Sequence, residues 1–235
     1  IYIIVVICII VVICISIITG MVNWGRKETF QPEEGPVLLK LHVEGNKIVD
    51  ENGNMKILRG VVIVDPYILK EIYGHLLEKD FEVLAEDWKA TIVRVPISPA
   101  LWVQSDDYLR DYVDPIVSWG KKYGIYIFLG WHAHGNAITG EIEETSGTDD
   151  FPWYGNPFGP NNKELAISAL KEMVQRYRDK PWVIYGTFNE PSHITWNEWR
   201  PVAEELVDAI HSVDPSALVM VSGVDWASDL SDVLE

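Results

Sequence analysis

The chain has 235 residues, of which 48% are hydrophobic, and it carries 35 acidic against 19 basic side chains for a formal net charge of −16. So acidic a surface repels nucleic acid and anionic lipid, which removes nucleic acid from the partners and favours a neutral substrate. Both cysteines, Cys8 and Cys14, fall in the first stretch; the remainder has no disulfide framework, no cysteine metal site and no cysteine nucleophile.

Residues Ile1–Asn23 are uncharged and mostly Ile and Val up to Ile18. That length matches the ~20 apolar residues needed to cross a bilayer. A cleaved signal is shorter in its apolar part and begins with basic residues, whereas the first bases here are Arg26 and Lys27. The stretch therefore reads as a membrane anchor or uncleaved signal over residues 1–23. It implies a protein that is extracellular or at the cell surface, membrane-anchored or secreted. No Met opens the chain, and the expectation is of a start that is missing. Residues 24–36, with two prolines and three glutamates after Lys27, read as a linker. Residues 37–235 then form one domain, opening on a β-hairpin with turn signals at Glu44–Asn46 and Glu51–Asn54.

From Ile57 onward the pattern repeats in units. Apolar strand candidates begin near Ile57, Thr91, Ile125, Val183 and Ala217, about 34 residues apart except for one interval of about 58. Helical patterns lie between them. Glu78–Lys89 places Phe81, Leu84, Ala85 and Trp88 on one face. Asp114 and Pro115 supply an N-cap and first-turn proline, with Gly124 as the stop. Leu165, Ala169, Leu170, Met173, Val174 and Tyr177 make one further apolar face, and Val202, Leu206, Ala209, Ile210 and Val213 another. Strand-helix repeats of this length specify a parallel sheet, either a barrel or a doubly wound sheet. No strand is followed by a glycine-rich phosphate loop, so the reading is an α/β fold, a (β/α)8 TIM barrel.

Barrel chemistry collects at the C-terminal ends of strands, and here those ends are polar or aromatic. TIVRVPIS carries Arg94 among apolar residues, where a guanidinium needs a partner. IYIFLGW runs into His132, Ala133 and His134. ALVMVSG delivers Asp225 and Trp226. Most informative is VIYGTFNEPS, Val183–Ser192: an apolar strand ending in Asn189, Glu190 and Pro191. A carboxylate against an apolar strand end is poorly solvated and its pKa rises, as a general acid requires. An amide beside it suits a substrate hydroxyl. The plain alternative is an ordinary turn. The long interval holds an insertion, residues 135–162, rich in Gly, Asn, Asp and Pro and carrying Phe151, Trp153, Tyr154 and Phe158. Such aromatics, with Trp196 and Trp199 further on, serve either as platforms for sugar rings or simply as packing.

Taken together, LRG (Leu58–Gly60), TIVRVP, GIYIFLGWH, VIYGTFNEP and LVMVSGVDW resemble glycoside hydrolase family 5, the cellulase and mannanase family of clan A, over nearly all of residues 41–226. The resemblance implies a retaining hydrolase that cleaves internal β-1,4 bonds of a polysaccharide and needs no cofactor or metal. It makes Glu190 the acid/base and gives Asn189 the 2-hydroxyl of the reacting sugar. Arg94 would position the nucleophile and His132 would line the central subsite. His134, Trp153, Tyr154, Trp196 and Trp226 are the candidate substrate-binding residues. The family often has Asp where this chain has Gly130, which implies altered local hydrogen bonding. In the family the nucleophile is a Glu at the end of strand seven, whereas five strand units are legible here. The reading is thus an incomplete barrel, a piece of a longer protein that alone is inactive.

An endo-β-1,4-glucanase acting on cellulose or another β-glucan is the first reading, with β-mannanase as the alternative within the family. A metal-dependent amidohydrolase-type barrel is a rival, because His132 and His134 form an H-x-H pair after a strand; it needs ligands from other strand ends. The second rival is a non-catalytic glycan-binding protein.

Overall fold

The computed structural model describes residues 35–141 and 162–234. The expectations for residues 1–23, for most of the linker, and for Phe151, Trp153, Tyr154 and Phe158 lie outside the described residues. Among the described residues no helix is long and apolar enough to cross a membrane.

The chain from Gly35 forms one unit and opens on the expected hairpin, β1 (Leu41–Glu44) and β2 (Lys47–Asp50), paired antiparallel from Leu41↔Asp50 to Glu44↔Lys47. Its two-residue loop is Gly45-Asn46, and Gly45 takes the left-handed φ of +61° that such a turn needs. The second turn signal is organised by Asp50, whose carboxylate accepts from the Asn52 and Asn54 N–H groups at 3.0 Å and pairs with Lys56 at 2.9 Å. Leu41 and Val49 are buried. The Tyr126 hydroxyl, at the first residue of the strand Tyr126–Trp131, donates to the Leu39 carbonyl at 2.7 Å. The hairpin region is therefore tied to the N-terminal end of the sheet, opposite the end where strand-end chemistry gathers.

Five strands form the main sheet: β3 (Gly60–Val62), β4 (Ile92–Ile97), β5 (Tyr126–Trp131), β7 (Val183–Gly186) and β9 (Val219–Met220). All neighbours are parallel, and their order follows the chain, β3-β4-β5-β7-β9. A doubly wound sheet reverses its strand order partway; a strictly sequential parallel order is that of a (β/α)8 barrel. Among the described residues the sheet stays open, and apolar side chains on its outer strands are uncovered, Val62 at 57% and Met220 at 49% exposure. The first strand begins at Gly60, three residues later than the apolar pattern suggests.

The connecting helices are α1 (Glu78–Glu86), α2 (Asp114–Tyr123), α3 (Asn162–Tyr177) and α4 (Trp196–His211). Phe81 and Leu84 of α1 are buried as expected, but the helix stops at Glu86, Lys89 turns into the left-handed region, and Trp88 is 66% exposed. Asp114 is the first helical residue of α2, not its cap. Its carboxylate instead clamps α3, accepting from Arg176 Nε and from the Tyr177 hydroxyl, both at 2.8 Å. Gly124 ends α2 at φ +74° as the sequence suggests. Helix α4 opens on a capping box in which the Thr195 N–H donates to the Glu198 carboxylate at 2.9 Å.

Alternation along the strands settles which side chains face the helices. Val93, Val95, Ile97, Ile127, Leu129 and Trp131 are fully buried. The opposite face carries Arg94, Phe128, Gly130, Gly186 and Met220, aligned by the register Arg94↔Phe128, Gly130↔Gly186 and Gly186↔Met220. That inner face holds the site.

Candidate active site

Beyond the C-terminal ends of β5 and β7 the chain pairs once more, in a short parallel ladder of β6 (His134–Gly135) and β8 (Glu190–Pro191). The Glu190 N–H donates to the Ala133 carbonyl and the Ser192 N–H to the Gly135 carbonyl, each at 3.1 Å. Asn136 secures the arrangement: its Nδ2 donates to the His193 carbonyl at 2.7 Å, and its Oδ1 accepts from the Ile138 and Thr139 N–H groups. This ladder sets His134 directly opposite Glu190, a pairing that no local sequence signal announces.

A cavity of about 280 Å³ opens at these strand ends, lined by Arg94, Phe128, Gly130, Trp131, Gly186, Phe188, Asn189, Glu190, Met220, Ser222 and Ala227. Glu190 is the one carboxylate in that lining among the described residues. Arg94 Nη2 donates to Asn189 Oδ1, and the guanidinium lies over the Phe128 ring, 5.7 Å from its centroid. Partial burial lowers the Arg94 pKa, and the Glu190 charge opposes that shift. Two glycines make this possible. A Cβ at Gly186 would meet the Phe128 ring at 2.6 Å, and one at Gly130 would sit 3.3 Å from Arg94 Nε. A Cβ at position 130 would thus lie against the guanidinium, which here donates to Asn189.

His134 bridges the pair. Its Nδ1 lies 3.4 Å from Glu190 Oε2, and its Nε2 lies 3.4 Å from Asn189 Nδ2. Burial depresses its pKa, opposed by Glu190 and reinforced by Arg94. The His132 ring stands 4.8 Å from that of His134, tilted at 65°. Burial, then the proximity of His134 and Arg94, drops the His132 pKa to about 3. His132 lines not the central cavity but a smaller one of about 150 Å³, shared with Asp65 and Ser98. Among the described residues no group of three or more His, Cys, Asp and Glu side chains gathers where it could hold a metal ion.

Glu190 and Trp196 depart from expectation, and Trp199 falls on the packing side of its two readings. The Glu190 side chain is 37% exposed, so the poorly solvated carboxylate anticipated from its apolar strand is not what surrounds it here. Trp196 does not reach the central cavity; it lines a separate groove on α4 with Arg200, Glu204 and Asp208. Trp199 is core, fully buried against Phe188 with its Nε1–H on the Ser222 carbonyl at 2.9 Å. Trp131 and Trp182 are core as well. Trp226 is not in the lining of the central cavity; it stands edge-on to His193, with ring centroids 6.1 Å apart. It sits in a run of three left-handed residues, Asp225, Trp226 and Ala227, with φ from +52° to +63°. For non-glycine residues that backbone costs roughly 1–2 kcal/mol each, and Ala227 of that turn lines the cavity wall.

Asp65 went unremarked in the sequence. It follows β3 and is buried, accepting from Ser98 N–H at 2.8 Å, Tyr67 N–H at 2.9 Å and the Tyr108 hydroxyl at 2.5 Å. Burial, opposed by those donors, lifts its pKa to about 6. The available signal was an Asp-Pro at a strand end, common in ordinary turns. Ser222 and Met220 were likewise missed, because nothing local says which alternate positions of a wholly apolar strand face inward.

Comparison with known proteins gives this geometry a family. The model of "Cellulase (glycosyl hydrolase family 5)" matches residues 49–235, and the chain belongs to that family. Endoglucanase Z of Dickeya dadantii is 31% identical over 157 residues, 63% of this chain and 30% of the relative. Endoglucanase N of Pectobacterium atrosepticum is 31% identical over 205 residues, 83% of this chain and 40% of the relative. Among solved structures, the β-glucanase SdGluc5_26A from Saccharophagus degradans in complex with cellotetraose superposes with a TM-score of 0.75 at 27% identity, covering 90% of this chain and 63% of its own. The chain thus spans well under half the length of these two endoglucanases.

Proposed function

We propose that this glycoside hydrolase is an endo-β-1,4-glucanase that works by retention, with Glu190 as its acid/base. The observation that carries the reading is the convergence of Glu190, Asn189 and Arg94, from two different strands, on one cavity at the C-terminal end of a parallel sheet. Glu190 would protonate the departing glycosidic oxygen while a second carboxylate attacks the anomeric carbon; it would then remove a proton from the water that releases the sugar. The second carboxylate belongs ~5–5.5 Å from the first in a retaining enzyme. In this proposal it comes from a later strand end of the complete protein. Asn189, held by Arg94, would present its amide to the 2-hydroxyl, where hydrogen bonds strengthen in the transition state. Glucan is favoured over mannan because the relatives carry endoglucanase and β-glucanase names. An extracellular or cell-surface location belongs to the same proposal and rests on the uncharged first 23 residues.

The test is Glu190→Gln in the full-length protein, assayed on β-glucan, cellulose and mannan. The variant should lose about 10²–10⁴-fold in kcat on glucan while still binding it. Unchanged turnover removes Glu190 from its role. A wild-type protein that binds glucan but hydrolyses none of the three gives the glycan-binding reading first place, and preference for mannan overturns the substrate.

A further inference from the structure

We infer that His134 is a positioning residue for the general acid, acting as a neutral imidazole protonated on Nδ1 that donates to Glu190 Oε2. The inference deepens the proposed function and rests on Glu190 being its acid/base. It follows from a donor count. Arg94 has only donors, so the Asn189 atom it touches is the acceptor Oδ1. The other amide atom, Nδ2, is then a donor, and it is the one aimed at His134 Nε2 at 3.4 Å. A donor facing Nε2 requires a lone pair there. The ring proton must therefore sit on Nδ1, the atom that faces Glu190 Oε2 at 3.4 Å. The burial that disfavours the imidazolium supports the neutral form. Every donor in the chain Arg94, Asn189, His134, Glu190 points the same way, toward the carboxyl.

The consequence concerns which oxygen of Glu190 does the chemistry. Oε2 is occupied as an acceptor, so when Glu190 is protonated its proton rests on Oε1. That atom delivers the proton to the leaving oxygen and takes one back from water. His134 exchanges no proton itself. It fixes the rotation of a carboxyl whose side chain is otherwise 37% exposed, and it ties that rotation to the amide beside it. The two-residue connection His132-Ala133 between β5 and β6, and the β6–β8 ladder, set the register that makes the contact.

The experiment compares leaving groups in the full-length enzyme. From a 2,4-dinitrophenyl β-cellobioside the dinitrophenolate leaves without acid assistance; the sugar oxygen that leaves from cellotetraose needs a proton. His134→Leu should lower kcat/KM on cellotetraose by about 10²-fold and on the dinitrophenyl glycoside by no more than about three-fold. His134→Asn, whose amide nitrogen overlays Nδ1, should recover at least about ten-fold of the loss. Equal losses on both substrates, or an Asn variant as impaired as the Leu variant, overturns the assignment. The imidazole nitrogen shifts of His134 in the wild-type protein give an answer independent of any variant: an Nδ1–H tautomer supports it, and an Nε2–H tautomer or an imidazolium at neutral pH overturns it. Glu190→Gln run alongside separates the two levels, since full activity there defeats the acid/base reading itself.

Discussion

At the scale of single residues, two buried groups near the site titrate in opposite senses. His132, held near a pKa of 3 in place of 6.5 by burial, does not take up the proton that the unfolded chain binds between those values. Its contribution to stability rises with pH over that window and is lost as the pH falls below 6.5. Asp65, lifted by burial from 3.8 to about 6, keeps a proton the unfolded chain has released. Its contribution is present below 3.8 and is lost as the pH climbs through 6. Between about pH 4 and 6 the two slopes oppose each other. Urea midpoints across that range should therefore separate the variants. Asp65→Asn should lose stability more steeply than wild type on acidification from pH 6 to 4, and His132→Gln should gain it. Parallel curves for all three proteins would show that neither group titrates as described. Asp65→Asn should also cost about 1–3 kcal/mol at neutral pH, because its amide turns a donor toward the N–H or O–H groups that its carboxylate accepts from.

At the scale of elements, the inner face of the sheet depends on what is missing as much as on what is present. Gly186 leaves the space that the Phe128 ring fills, and Phe128 in turn underlies Arg94. Gly186→Ala should push the ring by more than its packing tolerates and destabilise the fold by about 1–3 kcal/mol. It should also lower kcat/KM on glucan, since Arg94 loses its seat. Wild-type urea midpoint and activity in that variant would mean that the ring relaxes freely. The helices were legible where capping and apolar spacing agreed, as with Gly124 at the end of α2 and the buried stripe of α3. They were less so for α1, where Trp88 fits the spacing but follows the last turn. The ladder β6–β8 was not legible at all. It is two residues on each side, too short for any periodic pattern, and it exists because neighbouring parallel strands β5 and β7 deliver their ends side by side.

On the whole-molecule scale, charge is the dominant property. With a net charge of −16, the protein repels polyanions over about one Debye length, ~10 Å at 0.1 M salt. On the proposed glucanase reading, the KM of the full-length protein for carboxymethylcellulose should fall as salt rises from about 0.01 to about 0.3 M, while its KM for neutral β-glucan stays flat. A KM for the anionic polymer that is insensitive to salt would show that its binding groove is shielded from the global field.

What the sequence determined by itself is everything that a one-dimensional pattern can encode. The unit spacing specified a parallel sheet of strand-helix units, and the absent phosphate loops favoured a barrel over a doubly wound sheet. The apolar strand ending in Asn189 and Glu190 marked the candidate site, and the motifs LRG, TIVRVP and VIYGTFNEP resembled the family to which the chain belongs. The tertiary structure decided relations between distant positions. It set the strand order that separates barrel from doubly wound sheet, and it sent Trp131, Trp182 and Trp199 into the core. It brought Asp65 beneath Ser98 and Tyr108, and it stood His134 against both Asn189 and Glu190. The reason is physical: strands buried on both faces are apolar throughout, so their sequence does not say which side points inward, and only the register with neighbouring strands does.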